Sequence, residues 1–155
     1  MRLQETEADI TSRVIGKVFE KGTTMKGVEL AIESVKKSNL KIGLASSSPL
    51  SLIHAVLEKT GLQNEFTVVC SAEHLPFGKP HPQVFINCAL ALNSHPVECL
   101  CFEDSFNGLI AAKAARMKCV VVPHPDQFNE TKWNLADLKL ASLDSMSNET
   151  LLNLL

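Results

Sequence analysis

The sequence predicts an α/β domain, a Rossmann-like parallel sheet with helices on both faces. Three observations carry that expectation. Short apolar runs alternate with segments of helical periodicity. Most of the runs are apolar almost throughout, as in strands covered on both faces, rather than alternating. The length of 155 residues suits one domain able to bury a core.

The strands are expected at 41–45, 66–70, 99–102 and 119–122, with a weaker run at 138–141 as an edge strand. Between them, Val28, Ala31, Ile32 and Val35 form one helical stripe, and Lys36 and Lys37 suit its C-terminal end. Pro49 fits the first helical position behind a Ser48 cap, with Leu50, Ile53, Val56 and Leu57 facing inward and Gly61 as the stop. Val84, Phe85, Cys88, Ala89 and Leu92 make a third stripe, and Leu109, Ala112 and Ala115 a fourth. Right-handed crossovers then make the sheet parallel and doubly wound. The first ~20 residues differ: 5–19 reads as a polar helix with a thin apolar stripe (Ile10, Val14, Val18), hinged onto the core by the loop 21–27. A short C-terminal helix, with Ser147 as its cap, closes the chain.

Composition removes several function classes. A formal charge of −2 with no basic run, and only 5% aromatic residues, argue against nucleic acid. No stretch approaches the roughly 20 apolar residues of a membrane helix, and the N-terminus lacks a signal-peptide pattern. The five cysteines fall in strand-like and helix-like runs and read as core packing, which fits the reducing cytoplasm. Trp133 reads as packing.

The polar residues at the strand ends carry the chemistry. In open parallel sheets, ligands bind beyond the carboxyl ends of the strands. Ser46, Ser47 and Ser48 follow the first strand and precede a helix whose free N–H groups favour an anion. Ser48 alone is explained by capping. Lys79 sits in a rigid turn, Gly78-Lys79-Pro80-His81-Pro82, and supplies a compact positive charge for a phosphate oxygen. Glu103 and Asp104 end an apolar strand; acids there cap the following helix or hold a hard cation such as Mg²⁺, and the second use better explains two in succession. His81 and His124 lie in loops on the same side and are weaker candidates for substrate contact.

Leu44-Ala45-Ser46-Ser47-Ser48, then Lys79-Pro80-His81-Pro82, then Glu103-Asp104-Ser105-Phe106-Asn107-Gly108 resemble three ordered motifs of the haloacid dehalogenase-like hydrolases. The likeness is to the sugar-phosphate branch, with β-phosphoglucomutase and the 2-deoxyglucose-6-phosphate (hexitol phosphate) phosphatases, and runs from about Gly27 to the C-terminus. It implies that Ser46 and the Ser47 amide bind the transferring phosphoryl group. It also implies that Lys79 bridges phosphate and nucleophile as a catalytic residue, Asp104 ligates Mg²⁺ and Glu103 supports the metal shell. The substrate implied is a small phosphorylated sugar or sugar alcohol. In one respect the chain departs from the family. The nucleophile and general acid form an Asp-x-Asp motif on the central strand, whereas Asp9, Asp104, Asp126, Asp137 and Asp144 contain no such pair. The resemblance therefore implies a core at 23–155 that lacks the central strand, and a remnant of a helical cap at 1–22, as in an N-terminally truncated family member. A chain of that kind is expected to be inactive alone, and to self-associate or pair with a complementing N-terminal fragment. The competing reading is a non-catalytic protein that keeps a phosphate-binding crevice.

Overall fold

The computed structural model describes residues 2–155, with side chains from Thr6 onward. Five strands form where the apolar runs lie: β1 (Gly43–Ser46), β2 (Val68–Ser71), β3 (Leu100–Glu103), β4 (Lys118–Val121) and the short edge strand β5 (Leu138–Lys139). Six helices accompany them: α1 (Arg2–Lys21), α2 (Val28–Lys37), α3 (Leu50–Thr60), α4 (Gln83–Ala91), α5 (Phe106–Ala114) and α6 (Asn148–Leu154). Every strand pairing is parallel, so the predicted α/β class holds. Among the described residues no helix is long and apolar enough to cross a membrane.

The strands make two ladders, β1–β2 and β3–β4–β5. Strand alternation decides what faces the space between them. The Ile42 and Ser46 carbonyls accept from Thr67 and Ala72 at 2.8 and 2.9 Å, so the peptide groups of Gly43 and Ala45 turn the other way. The Cys99 and Glu103 carbonyls accept from Lys118 and Val122 at 3.3 and 2.8 Å, which turns those of Leu100 and Phe102 away from β4. Toward that space each ladder thus presents an open edge, β1 on one side and β3 on the other.

The core is centred on β4 and α5. Cys119, Val120, Val121, Leu109, Ala111 and Ala112 are fully buried. The small residues of α5 let its axis approach the sheet closely, and Trp133 closes the end of this cluster. Its ring meets Phe106 edge-on at 6.0 Å, and its indole N–H donates to the Gln127 carbonyl at 2.7 Å, which satisfies its one polar atom. Trp133 therefore packs, as expected. Burial pushes the Cys88 thiol up to about 12, with Cys70 beside it adding to the effect. Hydrogen bonding to Cys119 and then burial raise the Cys101 thiol. Thiols held protonated in this way act as small hydrophobes.

Three local expectations need correction. Pro49 occupies the cap position itself and α3 starts at Leu50, whose N–H is met by the Glu73 carboxylate at 3.1 Å rather than by Ser48. Along α3, Ile53, Ala55 and Leu57 face inward, whereas Leu50 and Val56 are more than a third exposed, because α1 covers that flank only in part. On α1 itself, Val14 and Val18 border a groove against Leu52 and Val56, while Ile10 stays 56% exposed. The C-terminal cap is as expected: the Ser147 hydroxyl accepts from the Thr150 N–H at 3.0 Å.

The loop after α1 is fastened to the segment before α6. Gly27 has φ +86°, and a Cβ there would collide with the Asp144 amide and lie 2.7 Å from the Leu143 carbonyl carbon. Glycine is therefore required both by conformation and by space. Beside it, Lys26 pairs with Asp144 at 2.7 Å and its carbonyl accepts from the Ser142 hydroxyl at 3.2 Å.

Leu109→Ala should destabilise by about 2–5 kcal/mol, whereas Leu90→Ala, on an exposed face, should stay within about 0.5 kcal/mol, both read by urea melting. Asp137 joins β4 to β5, accepting from the Cys119 N–H and from Lys113, each at 2.7 Å. Burial raises its pKa, but those donors outweigh burial and the net shift is downward. A depressed carboxylate stabilises the fold above its unfolded pKa, and that contribution is lost as pH falls through the folded value. The melting-temperature gap between wild type and Asp137→Asn should accordingly be open at pH 7 and close as the pH falls below about 4.

Candidate functional site

The two open edges border one cleft of about 760 Å³, lined from one side by Leu44 to Ser48 and from the other by Phe102 to Asn107. The predicted site residues Ser46, Ser47, Lys79, Glu103 and Asp104 all line it. They reach it because β1 and β3 run in the same direction and end at the same rim, each followed by a helix. His81 and His124 do not line it. His81 instead stacks on Phe77, centroids 5.5 Å apart, and His124 caps a one-turn helix through the Asp126 N–H.

The turn after β1 is built from its own hydroxyls. Ser46 Oγ accepts from the Ser48 N–H at 3.1 Å, and Ser47 Oγ accepts from the Lys79 N–H at 3.0 Å. That second bond ties the serine turn to the lysine turn, where a Cβ on Gly78 would stand 3.1 Å from Ser47 Oγ. The Lys79–Pro80 peptide is cis.

Lys79 crosses the cleft floor. Its ammonium donates to the Ala45 carbonyl at 3.1 Å on β1 and pairs with the Glu103 carboxylate on β3. It also lies 4.4 Å over the Phe85 ring of α4. Both charged side chains are nearly withdrawn from solvent, at 13% and 6% exposure. Glu103 is held from its other oxygen by the Ser105 hydroxyl at 3.0 Å, and the same hydroxyl accepts from the Gly108 N–H. No buried side-chain nitrogen or oxygen among the described residues lacks a partner.

The two acids therefore have different surroundings. Glu103 is buried and committed to Lys79 and Ser105, whereas Asp104 is exposed at the cleft wall. Among the described residues no three His, Cys, Asp or Glu side chains gather as a metal cage. One exposed carboxylate on the wall of the cleft does fit Mg²⁺, which takes one or two carboxylates and completes its shell with phosphate oxygen and water.

Sequence reasoning missed two groups here. Met25 and Leu143 stand at the cleft mouth, brought there by the Gly27–Asp144 contact, and no local pattern pairs segments so far apart. The Lys79–Glu103 pair was likewise invisible to spacing, since it depends on which strands end side by side. Lys79→Ala would leave the Glu103 charge buried without its cation and should cost about 3–5 kcal/mol in urea unfolding. Lys37→Ala, which removes an exposed ion pair with Glu33, should be silent in the same assay.

Comparison with known proteins places this geometry. The haloacid dehalogenase-like hydrolase profile matches residues 3–122. Hexitol phosphatase B of Escherichia coli K12 is 43% identical over 149 residues, covering 96% of this chain and 67% of that protein. Fructose-1-phosphate phosphatase YqaB of the same organism is 36% identical over 83 residues, covering 54% of this chain and 43% of that protein. The crystal structure of β-phosphoglucomutase from Clostridium difficile superposes with a TM-score of 0.79 at 28% identity, over 97% of this chain and 63% of that one. The chain thus spans about two thirds of the length of its long matches. With the profile covering most of the sequence, and the strand-end serines, lysine and acids gathered in one cleft, the chain belongs to the haloacid dehalogenase-like hydrolase family.

Proposed function

We propose that the cleft holds the phosphate of a small sugar or sugar-alcohol phosphate, as part of a phosphatase that works through an aspartyl-phosphate. One observation carries the reading: Ser46, Lys79 and Asp104, from three separate segments, line a single cleft at the carboxyl ends of the strands. The names of the two E. coli relatives supply the substrate class.

In this reading the Ser46 hydroxyl and the Ser47 amide grip the phosphoryl oxygens. Lys79, already fixed by Glu103 and the Ala45 carbonyl, offers its charge to the phosphate and to the attacking carboxylate. Asp104 is the ligand for Mg²⁺, and the adjoining Glu103 supports the metal shell. The metal, when bound, neutralises charge on the transferring phosphoryl group. The attacking carboxylate itself belongs to an Asp-x-Asp segment, and this sequence contains none. Residues 1–22 correspond in this reading to part of a helical cap and 23–155 to the catalytic core. The free thiols suit the reducing cytoplasm.

The open edges of β1 and β3 favour a companion reading, in which a parallel strand supplied by another segment or chain pairs with both edges and brings the Asp-x-Asp to Lys79. Without it, the exposed edges favour self-association.

Titration with inorganic phosphate and Mg²⁺, followed by amide chemical shifts, tests the binding site. Shifts should concentrate at Ser46 to Ser48, Lys79 and Asp104. Lys79→Ala should weaken binding at least about tenfold, since a hydrogen bond to a charged group contributes about 1.5–3 kcal/mol. Phosphate shifts spread evenly over the surface would refute the site. The purified chain should show negligible Mg²⁺-dependent phosphatase activity; robust turnover abolished by Asp104→Ala would show instead that the chain is catalytically complete. A peptide with an apolar strand ending in Asp-x-Asp should raise the melting temperature, and a cooperative monomer indifferent to it would remove the companion reading.

A further inference from the structure

Gly108 is the third residue of α5, and its backbone is not in the left-handed region that favours glycine. Helix propensity alone would make alanine better there, since glycine costs helical stability through its freedom in the unfolded chain. Space explains the choice. A Cβ built on Gly108 falls within the carboxyl group of Glu103, against its Cδ and both oxygens. Among the described residues no other glycine faces a charged side chain in this way; Gly61 and Gly16 have nothing near them, and Gly27 meets backbone.

The atoms in conflict are the end of a side chain, so they can move and α5 can still form. What moves is the Glu103 carboxylate, the counter-charge that pins Lys79. The same turn supports it twice more, since the Ser105 hydroxyl donates to Glu103 Oε2 at 3.0 Å while accepting from the Gly108 N–H at 3.0 Å. One residue thus contributes an amide to orient the serine and an absent side chain to seat the acid.

We propose that Gly108 is a positioning residue, whose missing side chain is the seat of the Glu103 carboxylate and thereby sets where the Lys79 ammonium points. Only the last step, from the ammonium to bound phosphate, rests on the function proposed above.

A double-mutant cycle tests it. Gly108→Ala should lower the melting temperature by about 5 °C or more, because the buried pair is displaced. In the Glu103→Ala background the seat is empty, and the same change should be neutral or raise the melting temperature through helix propensity. An equal shift in both backgrounds would overturn the proposal. Should Glu103→Ala not fold, Lys79→Met with Glu103→Ala removes both charges and carries the same comparison. A structural role for glycine alone would leave the Lys79 ammonium unaffected. We therefore expect its ¹⁵N-resolved NMR signal, protected by the pair, to be lost in Gly108→Ala; its persistence with unchanged shift would also overturn the proposal. Phosphate titration separates the two layers. If Lys79→Ala binds phosphate like wild type, the functional reading fails, while the melting cycle still decides the seat.

Discussion

The buried pair between Lys79 and Glu103 is the interaction on which the rest of the site depends. It joins two ladders that share no backbone hydrogen bond: the lysine reaches from the turn before α4, touches β1 through the Ala45 carbonyl, and meets the acid at the end of β3. Withdrawing both charges from water costs several kcal/mol per ion, so such a pair is not a simple source of stability. It is tolerable here because each member has further partners, Phe85 and Ala45 for the lysine, Ser105 for the acid. What the pair supplies is location. A flexible four-carbon side chain becomes a fixed charge at one point of the cleft floor.

Around that point the fold shows a division of labour. The half containing β4, α5 and Trp133 is tightly buried and gives the acids a rigid base. The half containing β1, β2 and α3 is less enclosed, with every residue of β1 and β2 only partly buried. The serine turn stands on this softer half, and its geometry comes from local hydrogen bonds at Ser46 and Ser47 rather than from core packing. α4 lies against both β1 and β2 and also meets α5, so it is the packed element common to the two halves.

Much of this was legible in the sequence. Apolar runs mark the strands most plainly at β4, which is buried along most of its length, and strand-end polarity marks Ser46 and Asp104 because chain direction in a parallel sheet brings such ends together, while Lys79 is marked by its proline-framed turn. The errors have physical causes. The sequence predicts a Ser48 cap on α3, but Pro49 carries extended backbone at that position and Glu73 reaches across from the segment after β2. The helical period puts Val56 on the inward face, but on a flank that α1 does not fully cover. Glu103 and Asp104 are neighbours in sequence, yet Glu103 is the last residue of β3 and is buried in an ion pair, whereas Asp104 lies just past the strand and is exposed. Met25 and Leu143 could not be found at all from local pattern.

The contact that brings those last two together bears on how the molecule assembles. The Ser142 hydroxyl and the Lys26 carbonyl are 116 residues apart in the chain, whereas in the β3–α5–β4 unit the two paired strands are joined directly through one helix. Loop-closure entropy grows with separation, so the local β3–α5–β4 unit is cheaper to close than the Gly27–Asp144 fastening. The mouth of the cleft accordingly carries the larger ordering cost. A hard interior can thus be in place before the entrance is finished.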